Sequence, residues 1–414
     1  MPCLRRFLAA ALLVAATLAE PAHAEGLSRS DLSAQEALLT RSLHAIRAGK
    51  LDTALREIDR LIALQPDFKL AHLIRGDLLL AKAGPLPGMG GRSLSHDAGL
   101  QDLREEARLR LLSQIEEPAP DKLPKQILQL APSQKFALLA DASKARLYVF
   151  ENHEGHPRLL RHFFMTVGRN DIEKRIEGDK RTPVGVYTIT DQIPRARLTD
   201  FYGAGAFPLN YPNEWDQTLG RTGHGIWLHG VPSDTYNRAP RASDGCVVVA
   251  NADFNDISQY VQVGVTPVLI SERIEWLEPE AWQSLRQDLL AKLDTWKGDW
   301  ERQDSADFFA HYSSRFLFNE GKGWVESKRR NIANKDWIKL ELTDLSLFLD
   351  LSQNMAVATF TQAYGSNVFH STTRKRMYLS QENGKWHIAL EKSLLPDTIV
   401  AGREPPGSAG LTLR

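Results

Sequence analysis

Residues 225–249 read GIWLHGVPSDTYNRAPRASDGCVVV, and this stretch decides how the middle of the chain folds. An apolar run ends at His229, and the β-branched run 247–249 begins directly after Cys246. Both runs have the composition of strands, and the Gly, Pro, Asn and Asp residues between them favour a long loop. The spacing of His229 and Cys246 therefore predicts two neighbouring strands that bring an imidazole and a thiol to one rim of a sheet.

An imidazole and a thiol at one rim are the minimum of a cysteine acyl-transfer site. Such a site needs a thiolate, a base within hydrogen-bond reach and backbone N–H groups for an oxyanion. Cys246 is the candidate nucleophile and His229 the candidate base. Gly245 permits the close backbone approach that an oxyanion hole requires. The alternative to a nucleophile is that Cys246 is buried and only packs as a small apolar side chain.

The composition narrows the function classes. The chain has 414 residues, enough for two or three domains. Lys+Arg and Asp+Glu balance at 51 each, so nothing in the net charge favours nucleic-acid binding. The only other cysteine, Cys3, lies within a predicted signal peptide, which leaves Cys246 as the one thiol of the mature chain. A disulfide framework and dithiol redox chemistry are therefore excluded.

The N-terminus predicts export. Arg5 and Arg6 precede an apolar run over 7–18, and Ala22-His23-Ala24 follows as a small-x-small site. This order is typical of a signal peptide, here 1–24, cut after Ala24. The run is shorter than the roughly 20 residues that cross a bilayer. We therefore expect a periplasmic protein without a membrane span.

Residues 25–117 show helical periodicity and resemble tetratricopeptide repeats. Ala54, Ile58 and Pro66 lie at the offsets of one repeat, and a second copy is incomplete. One and a half repeats are too few to be stable alone, so this region is expected to pack on the next domain, on a second copy in a homodimer, or on a protein partner. Prolines mark residues 118–135 as a linker.

Two further domains follow the linker. Residues 136–273 contain short runs with strand character at 184–190, 225–229, 246–249 and 266–271, which favours an all-β sandwich or barrel. Residues 279–396 show helices first and antiparallel strands afterwards. This α+β pattern resembles the nuclear-transport-factor-like cone fold, in which a curved sheet leaves a pocket. Residues 397–414 are a tail.

A second motif makes the central resemblance specific. Residues 177–187 read EGDKRTPVGVY, and Ser243-Asp244-Gly245-Cys246 follows a strand that ends in His-Gly. Together these motifs resemble the YkuD-type L,D-transpeptidases over roughly residues 137 to 272. The resemblance implies a mainly-β sandwich catalytic domain that attacks the bond between meso-diaminopimelate and D-alanine in peptidoglycan stem peptides. It also implies that the Gly245 carbonyl orients His229 and that N–H groups around Asp244 to Cys246 hold the oxyanion.

The chain departs from the family pattern at two positions. Asp244 replaces a histidine, and Val248 replaces an arginine. A carboxylate next to a thiol raises the thiol pKa unless it is paired, so we expect Asp244 to pair with Arg238 or Arg241. The expected substrate-binding residues are Ser243, Asp244, Arg241, Arg238, Asn210, Tyr211 and Trp227.

The domain order resembles that of the cell-shape-determining L,D-carboxypeptidases of helical bacteria, which favours water as the acceptor. The alternatives are an L,D-transpeptidase that forms crosslinks or attaches a lipoprotein, an amidase that releases murein-bound lipoprotein, and an inactive murein-binding scaffold. No cofactor is expected, and no metal, because the chain lacks a His-Glu-x-x-His or similar ligand cluster.

Overall fold

The computed structural model describes residues 33–84, 88–90, 97–116, 118–394 and 398–400, the last three by their backbone alone. The predicted signal peptide lies outside the described residues, and so does most of the predicted tail. Among the residues described, no helix combines the length and the apolar composition that a bilayer crossing requires.

The N-terminal part is helical, as predicted. It contains α1 (Ala34–Arg47), α2 (Leu51–Leu64), α3 (Lys69–Ala83) and α4 (Ala98–Ile115). The side chains of Ser33 and Asp97 accept hydrogen bonds from backbone N–H groups in the first turns of α1 and α4, and so begin these helices. Ala54 and Ile58, on the face of α2 predicted from periodicity, are fully buried.

The segment predicted to be a linker carries two short strands, β1 (Leu123–Pro124) and β2 (Ile127–Gln129). The strands and helices that follow it are β3 (Phe136–Asp141), β4 (Arg146–His153), β5 (His156–Gly168), β6 (Gly185–Thr188), β7 (Ile193–Pro194), β8 (Gly205–Pro208), α5 (Glu214–Thr218), β9 (Trp227–His229), β10 (Arg241–Ser243), β11 (Val247–Val249), α6 (Asn251–Ser258) and β12 (Pro267–Ser271). The four runs predicted as strands are observed as β6, β9, β11 and β12.

These strands form one mixed sheet in the order β6-β12-β3-β4-β5-β11-β9-β8-β7, with β10 beside β5. The long strand β5 pairs with β4 along most of its length and with β11 through Met165 and Thr166. Side chains of both halves, such as Val149 and Val247, are buried in the same core. The sheet therefore closes over itself as a sandwich, in agreement with the predicted fold class.

The C-terminal part is an α+β unit, as predicted. Its elements are β13 (Trp276–Leu277), α7 (Pro279–Glu301), α8 (Ser305–Ala310), α9 (Ser314–Ala333), β14 (Ile338–Asp350), β15 (Met355–Ser366), β16 (His370–Glu382), β17 (Lys385–Ser393) and β18 (Thr398–Val400). The antiparallel sheet β17-β16-β15-β14 packs on the helices through buried aromatic side chains, among them Trp296 and Phe360. Helices α8 and α9 are separate, because the Ser313 side chain caps the start of α9.

The catalytic and C-terminal parts share a core. Strand β2 extends the C-terminal sheet by pairing with β14. Strands β1 and β13 form a separate two-stranded pair, in which Pro124 is tolerated because an edge strand does not need its missing N–H. The Glu214 carboxylate accepts hydrogen bonds from Arg376 at 3.1 Å and from the Tyr378 hydroxyl at 2.7 Å. The Trp215 ring stacks on Tyr378 with centroids 5.8 Å apart. These contacts join the two parts through packed surfaces rather than through a free linker.

A buried ionic cluster joins the N-terminal helices to the central sheet. The Glu36 carboxylate on α1 binds Arg110 on α4 and, at 2.9 Å, Arg146 on β4. Arg110 also binds Glu106 at 2.9 Å. All four side chains are at most 9% exposed. Removing one member would leave a buried charge without its partner, at a cost of roughly 3–5 kcal/mol. The helices are therefore fixed to the sheet.

Candidate active site

Strands β9 and β11 are parallel neighbours, with Leu228 beside Val247 and His229 beside Val248. Leu228 and Val247 point into the core. Because side chains alternate between the two faces of a strand, His229 points to the opposite face. Continuing the register by one residue places Cys246 beside Trp227, on the same face as His229. The two predicted catalytic side chains are thus diagonal neighbours.

Cys246 is a half-buried thiol at the start of β11. Its Sγ lies 3.5 Å from the carbonyl oxygen of Gly225, to which the S–H donates. Burial raises the pKa of Cys246, while the Trp227 N–H and the Arg238 guanidinium act in the opposite direction. The resting group is therefore a thiol, and its attack on a carbonyl requires a base that removes the proton.

His229 is 1% exposed, and its Nδ1 lies 2.6 Å from the carbonyl oxygen of Gly230. A carbonyl only accepts, so Nδ1 carries the proton and Nε2 has a free lone pair. Burial, opposed by the hydrogen bond to Gly230 and assisted by Arg238, lowers the pKa of His229 to about 4. The imidazole is therefore neutral near pH 7 and has the tautomer that a general base requires.

The carbonyl that orients His229 is thus that of Gly230, and the expectation that Gly245 supplies it is wrong. The Gly245 carbonyl accepts a hydrogen bond from the Thr182 hydroxyl at 2.9 Å. Gly230 directly follows His229, so its carbonyl reaches Nδ1 without help from another strand. Gly245 has φ +124°, and a Cβ there would lie 2.8 Å from the Arg181 carbonyl oxygen. This position requires glycine.

Ser243 holds the turn that presents the thiol. Its Oγ accepts from the Gly245 N–H at 3.1 Å and donates to the Cys246 carbonyl at 2.7 Å. With 1% exposure, Ser243 lies beneath the turn instead of facing a substrate. Because the Gly245 N–H is engaged, the amides of Asp244 and Cys246 remain the expected oxyanion donors in this turn.

Asp244 pairs with neither of the arginines expected from the sequence. Its carboxylate binds Arg169 at 2.8 Å, and Arg241 lies 3.4 Å from Asp171. No sequence motif contains Arg169. Because β10 pairs with β5 and Ser243 lies beside Gly168, the next residue, Arg169, comes close to the turn that carries Cys246. Asp244 still contributes to the raised pKa of Cys246.

An aromatic wall lines the face of His229. The ring of Tyr202 lies 5.0 Å from that of His229 and 4.8 Å from that of Trp227. The Phe201 ring lies 6.0 Å from His229 and carries the Arg238 guanidinium 4.4 Å above its centroid. Arg238 and Trp227 are therefore brought to the site. Phe201 and Tyr202 were not identified from the sequence, since they lie in a loop without a motif.

Asn210 and Tyr211 make structural contacts. The Asn210 side chain accepts from the Thr188 N–H at 2.7 Å. Tyr211 is 5% exposed and donates its hydroxyl to the Thr222 carbonyl at 3.2 Å. These bonds hold loops of the sandwich, and none of them involves Cys246 or His229.

Two side chains that the sequence did not single out hold the loops next to Cys246 and His229. Thr182 accepts from the Gly168 N–H at 2.8 Å and donates to the Gly245 carbonyl, so it connects β5 to the turn that carries Cys246. Asn251 binds both the N–H and the carbonyl of Val231, at 3.1 and 2.8 Å, directly after Gly230. The Thr-Pro motif contained Thr182 without indicating its partner, and no motif marked Asn251.

The C-terminal part has a cavity of about 420 Å³ that opens to solvent. Aromatic and cationic side chains line it, among them Trp300, Tyr364, Phe369, Lys328, Lys335 and Lys375. The Lys328 ammonium lies 3.7 Å from the Trp300 centroid, and burial lowers the pKa of Lys328 to about 8. The Oε1 atom of Gln362, also on the wall, is buried without a hydrogen-bond partner. Within the described residues, no three His, Cys, Asp or Glu side chains are arranged to hold a metal ion.

Comparison with protein families agrees with this division. Residues 135–270 match the L,D-transpeptidase catalytic domain, YkuD, and residues 288–392 match the Cds6 C-terminal NTF2-like domain. The chain therefore combines a YkuD-type L,D-transpeptidase domain with a Cds6-like NTF2 domain, which confirms the resemblance inferred from the motifs. No curated protein matches the sequence.

Solved structures share the architecture. Bd1075 of Bdellovibrio bacteriovorus is 25% identical with a TM-score of 0.59, covering 66% of this chain and 98% of its own. The helical cell shape determining protein Pgp2 of Campylobacter jejuni is 24% identical with a TM-score of 0.55, covering 68% of this chain and 97% of its own. Both similarities extend beyond a single domain and support the multidomain fold.

Proposed function

Because residues 135–270 form an L,D-transpeptidase catalytic domain, we propose that this chain is an exported, periplasmic L,D-carboxypeptidase of peptidoglycan. It removes the terminal D-alanine from stem tetrapeptides. The observation that carries the proposal is the placement of Cys246 and His229 on one face of paired strands, with the His229 tautomer set by Gly230.

The proposed reaction begins with a neutral pair. As the Cys246 sulfur attacks the carbonyl of meso-diaminopimelate, its proton passes to Nε2 of His229, and the amides of Asp244 and Cys246 bind the oxyanion. Burial disfavours a standing thiolate–imidazolium pair, so proton transfer accompanies the attack. Collapse of the tetrahedral intermediate returns the proton to the amine of D-alanine, which leaves, and an acyl-enzyme remains.

Water then completes the cycle. His229 removes a proton from a water molecule that attacks the thioester, and the Cys246 thiolate leaves and is reprotonated. The products are a tripeptide stem and free D-alanine. An amine in place of water would make a crosslink or attach a lipoprotein. Hydrolysis of the amide between a lipoprotein and murein would instead release the lipoprotein. The resemblance of domain order to cell-shape-determining carboxypeptidases favours water, and Pgp2, which shares this fold, is a helical cell shape determining protein.

The other domains have proposed roles in binding. The C-terminal cavity presents aromatic faces and ammonium groups, which suit the sugar rings and carboxylates of a glycan or stem peptide. The N-terminal helices leave Leu64, Leu79 and Leu80 exposed, which supports a protein partner or a second copy at that surface.

Product analysis tests the proposal. The purified protein is incubated with disaccharide tetrapeptides, with and without an acceptor stem, and the products are identified by mass. The proposal predicts tripeptide and D-alanine. Crosslinked dimers as the main product would replace the carboxypeptidase by a transpeptidase, release of peptide from murein-bound lipoprotein alone would indicate the amidase, and binding without turnover would indicate a scaffold.

A further inference from the structure

The segment 236–238 connects the active site to the N-terminal helices. Arg238 lies over the Phe201 ring and donates to the Phe201 carbonyl at 3.4 Å, while Phe201 packs beside His229. Its guanidinium acts electrostatically on both His229 and Cys246. Arg238 is thus the cation that faces the reacting pair from the loop side.

Arg238 differs from the neighbouring arginines in its partners. Arg169 and Arg241 each have a carboxylate within ion-pair distance. Across the described part of the chain, none lies within that distance of Arg238. A half-buried guanidinium that is held by an aromatic ring and a carbonyl retains its charge and N–H donors for an external anion. Val248, where the family has an arginine, leaves the strand itself without such a cation.

The helices hold this segment by two contacts. The ring of Phe68, at the start of α3, lies 4.4 Å from the ring of Tyr236. The Asn237 amide donates to the Glu106 carboxylate on α4 at 2.9 Å and to the Arg238 carbonyl at 3.1 Å. Glu106 is itself fixed by Arg110 within the buried ionic cluster. The position of the Arg238 backbone therefore depends on the helical domain.

The sheet holds the same segment from the other side. The Thr166 hydroxyl on β5 lies within hydrogen-bond distance of the Arg238 and Ala239 carbonyls, at 3.1 and 2.9 Å. The segment is thus clamped between α4 and β5, and it continues through β10 into the turn that carries Cys246. A clamp of this kind fixes where the guanidinium can reach.

We propose that Arg238 binds the terminal carboxylate of the stem peptide and that the N-terminal helices, through Asn237–Glu106 and Tyr236–Phe68, are its positioning elements. The identity of the ligand rests on the proposed function, since the D-alanine to be released carries that carboxylate. Two claims are independent of the proposed function: that an anion-binding cation lies next to the Cys246 thiol, and that its position depends on the helices.

The test compares alkylation of Cys246 by anionic iodoacetate and by neutral iodoacetamide, followed at that residue by peptide mass analysis. The ratio of the two rate constants reports attraction of an anion to the thiol, independently of peptide turnover. Arg238→Gln should lower the ratio about fivefold, as expected for loss of a nearby charge. Asn237→Ala and Phe68→Leu keep the guanidinium but remove a contact that positions its segment, so they should also lower the ratio.

Two control variants separate positioning from general loss of stability. Tyr378→Phe removes a buried hydroxyl that donates to Glu214 at 2.7 Å, in a core that the N-terminal helices do not share, and Arg195→Gln removes an exposed cation that lies 3.6 Å from Asp200. Both should keep the wild-type ratio. On tetrapeptide, Arg238→Gln and Asn237→Ala should raise KM more than they lower kcat.

The outcomes are distinct. An unchanged ratio in Arg238→Gln would overturn the assignment of the cation. A lowered ratio in Arg238→Gln with wild-type ratios in both Asn237→Ala and Phe68→Leu would overturn the role of the helices. Absence of D-alanine release from the wild type would refute the proposed function and leave the alkylation result standing.

Discussion

The carbonyl oxygen of Gly230 lies 2.6 Å from Nδ1 of His229, so the residue that follows the proposed base in the chain also sets its tautomer. Asn251 binds the next residue, Val231, through both its N–H and its carbonyl. The base is therefore oriented by backbone that is itself held in place. This arrangement needs no third catalytic side chain.

The low pKa of His229 predicts an unusual pH profile. Because burial lowers it to about 4, the imidazole stays unprotonated, and able to accept a proton, above that pH. The kcat/KM for D-alanine release should therefore fall only as the pH drops through about 4, instead of through the ordinary value near 6.5. A midpoint near 6.5 would show that the base is not buried during turnover.

Removal of the base provides a second check. His229→Ala should lower the rate by roughly two to four powers of ten, the usual contribution of general-base catalysis. His224→Ala is the matched control, because His224 is an exposed loop histidine and should leave the rate unchanged. A loss of less than about threefold in His229→Ala would mean that the thiolate forms without this base.

At the residue scale, sequence motifs predicted which side chains meet at the proposed active site but not the groups that hold them. The strand–turn pattern around His229 and Cys246 was sufficient to predict that they lie at one rim. The carbonyl partner of His229 and the carboxylate partner of Arg169 depend on backbone direction and on the pairing of β10 with β5, which no local pattern encodes. The predicted role of the Gly245 carbonyl failed for this reason.

At the scale of elements, Thr182 makes a specific prediction. Its hydroxyl connects the Gly168 N–H on β5 to the Gly245 carbonyl in the nucleophile turn. Thr182→Val keeps the shape and removes both bonds, leaving two buried polar groups unpaired at a cost of about 1–3 kcal/mol each. We expect a lower melting temperature and a loss of kcat.

Thr182→Ser is the matched control, because it retains the hydroxyl. It should recover most of the kcat that Thr182→Val loses, when both are measured by D-alanine release. Equal kcat values for Thr182→Val and the wild type would show that the turn is set by Ser243 alone.

The strands β6, β9, β11 and β12 were predictable, because apolar and β-branched runs bounded by Gly and Pro determine them locally. The two strands within 118–135 were not predictable. The prolines of this segment indicated a linker, whereas β2 extends the C-terminal sheet by pairing with β14. Short strands whose partners lie more than 150 residues away leave little trace in local composition. Their existence depends on the assembled domains.

For the whole molecule, shared packing makes the domains one assembly. Ile127, Trp215 and Tyr378 belong to a core that draws on the catalytic and C-terminal parts alike. Deletion of the C-terminal part would expose this core, so point variants are the appropriate test of its function. The domain order could be recognised from sequence, but the shared core could not, because it depends on surfaces that meet only in the fold.

Lys328 is the residue with which to test the C-terminal cavity. Lys328→Gln removes an ammonium that lies over Trp300 and should weaken binding to intact sacculi several-fold, with little change in cleavage of a small soluble muropeptide. Lys339→Gln, at an exposed lysine on β14, is the control for loss of a positive charge. Sedimentation with sacculi measures binding. Equal binding by Lys328→Gln and the wild type would remove the cavity from substrate recognition.

The nucleophile is the centre of this account, and D-alanine release by Cys246→Ala tests it most directly. The variant replaces one half-buried thiol, so its melting temperature should remain close to that of the wild type. With disaccharide tetrapeptide as substrate, we predict that the folded variant releases no D-alanine, while the wild type releases it and carries one iodoacetamide-sensitive site. D-alanine release by Cys246→Ala at a rate comparable to the wild type would contradict the assignment.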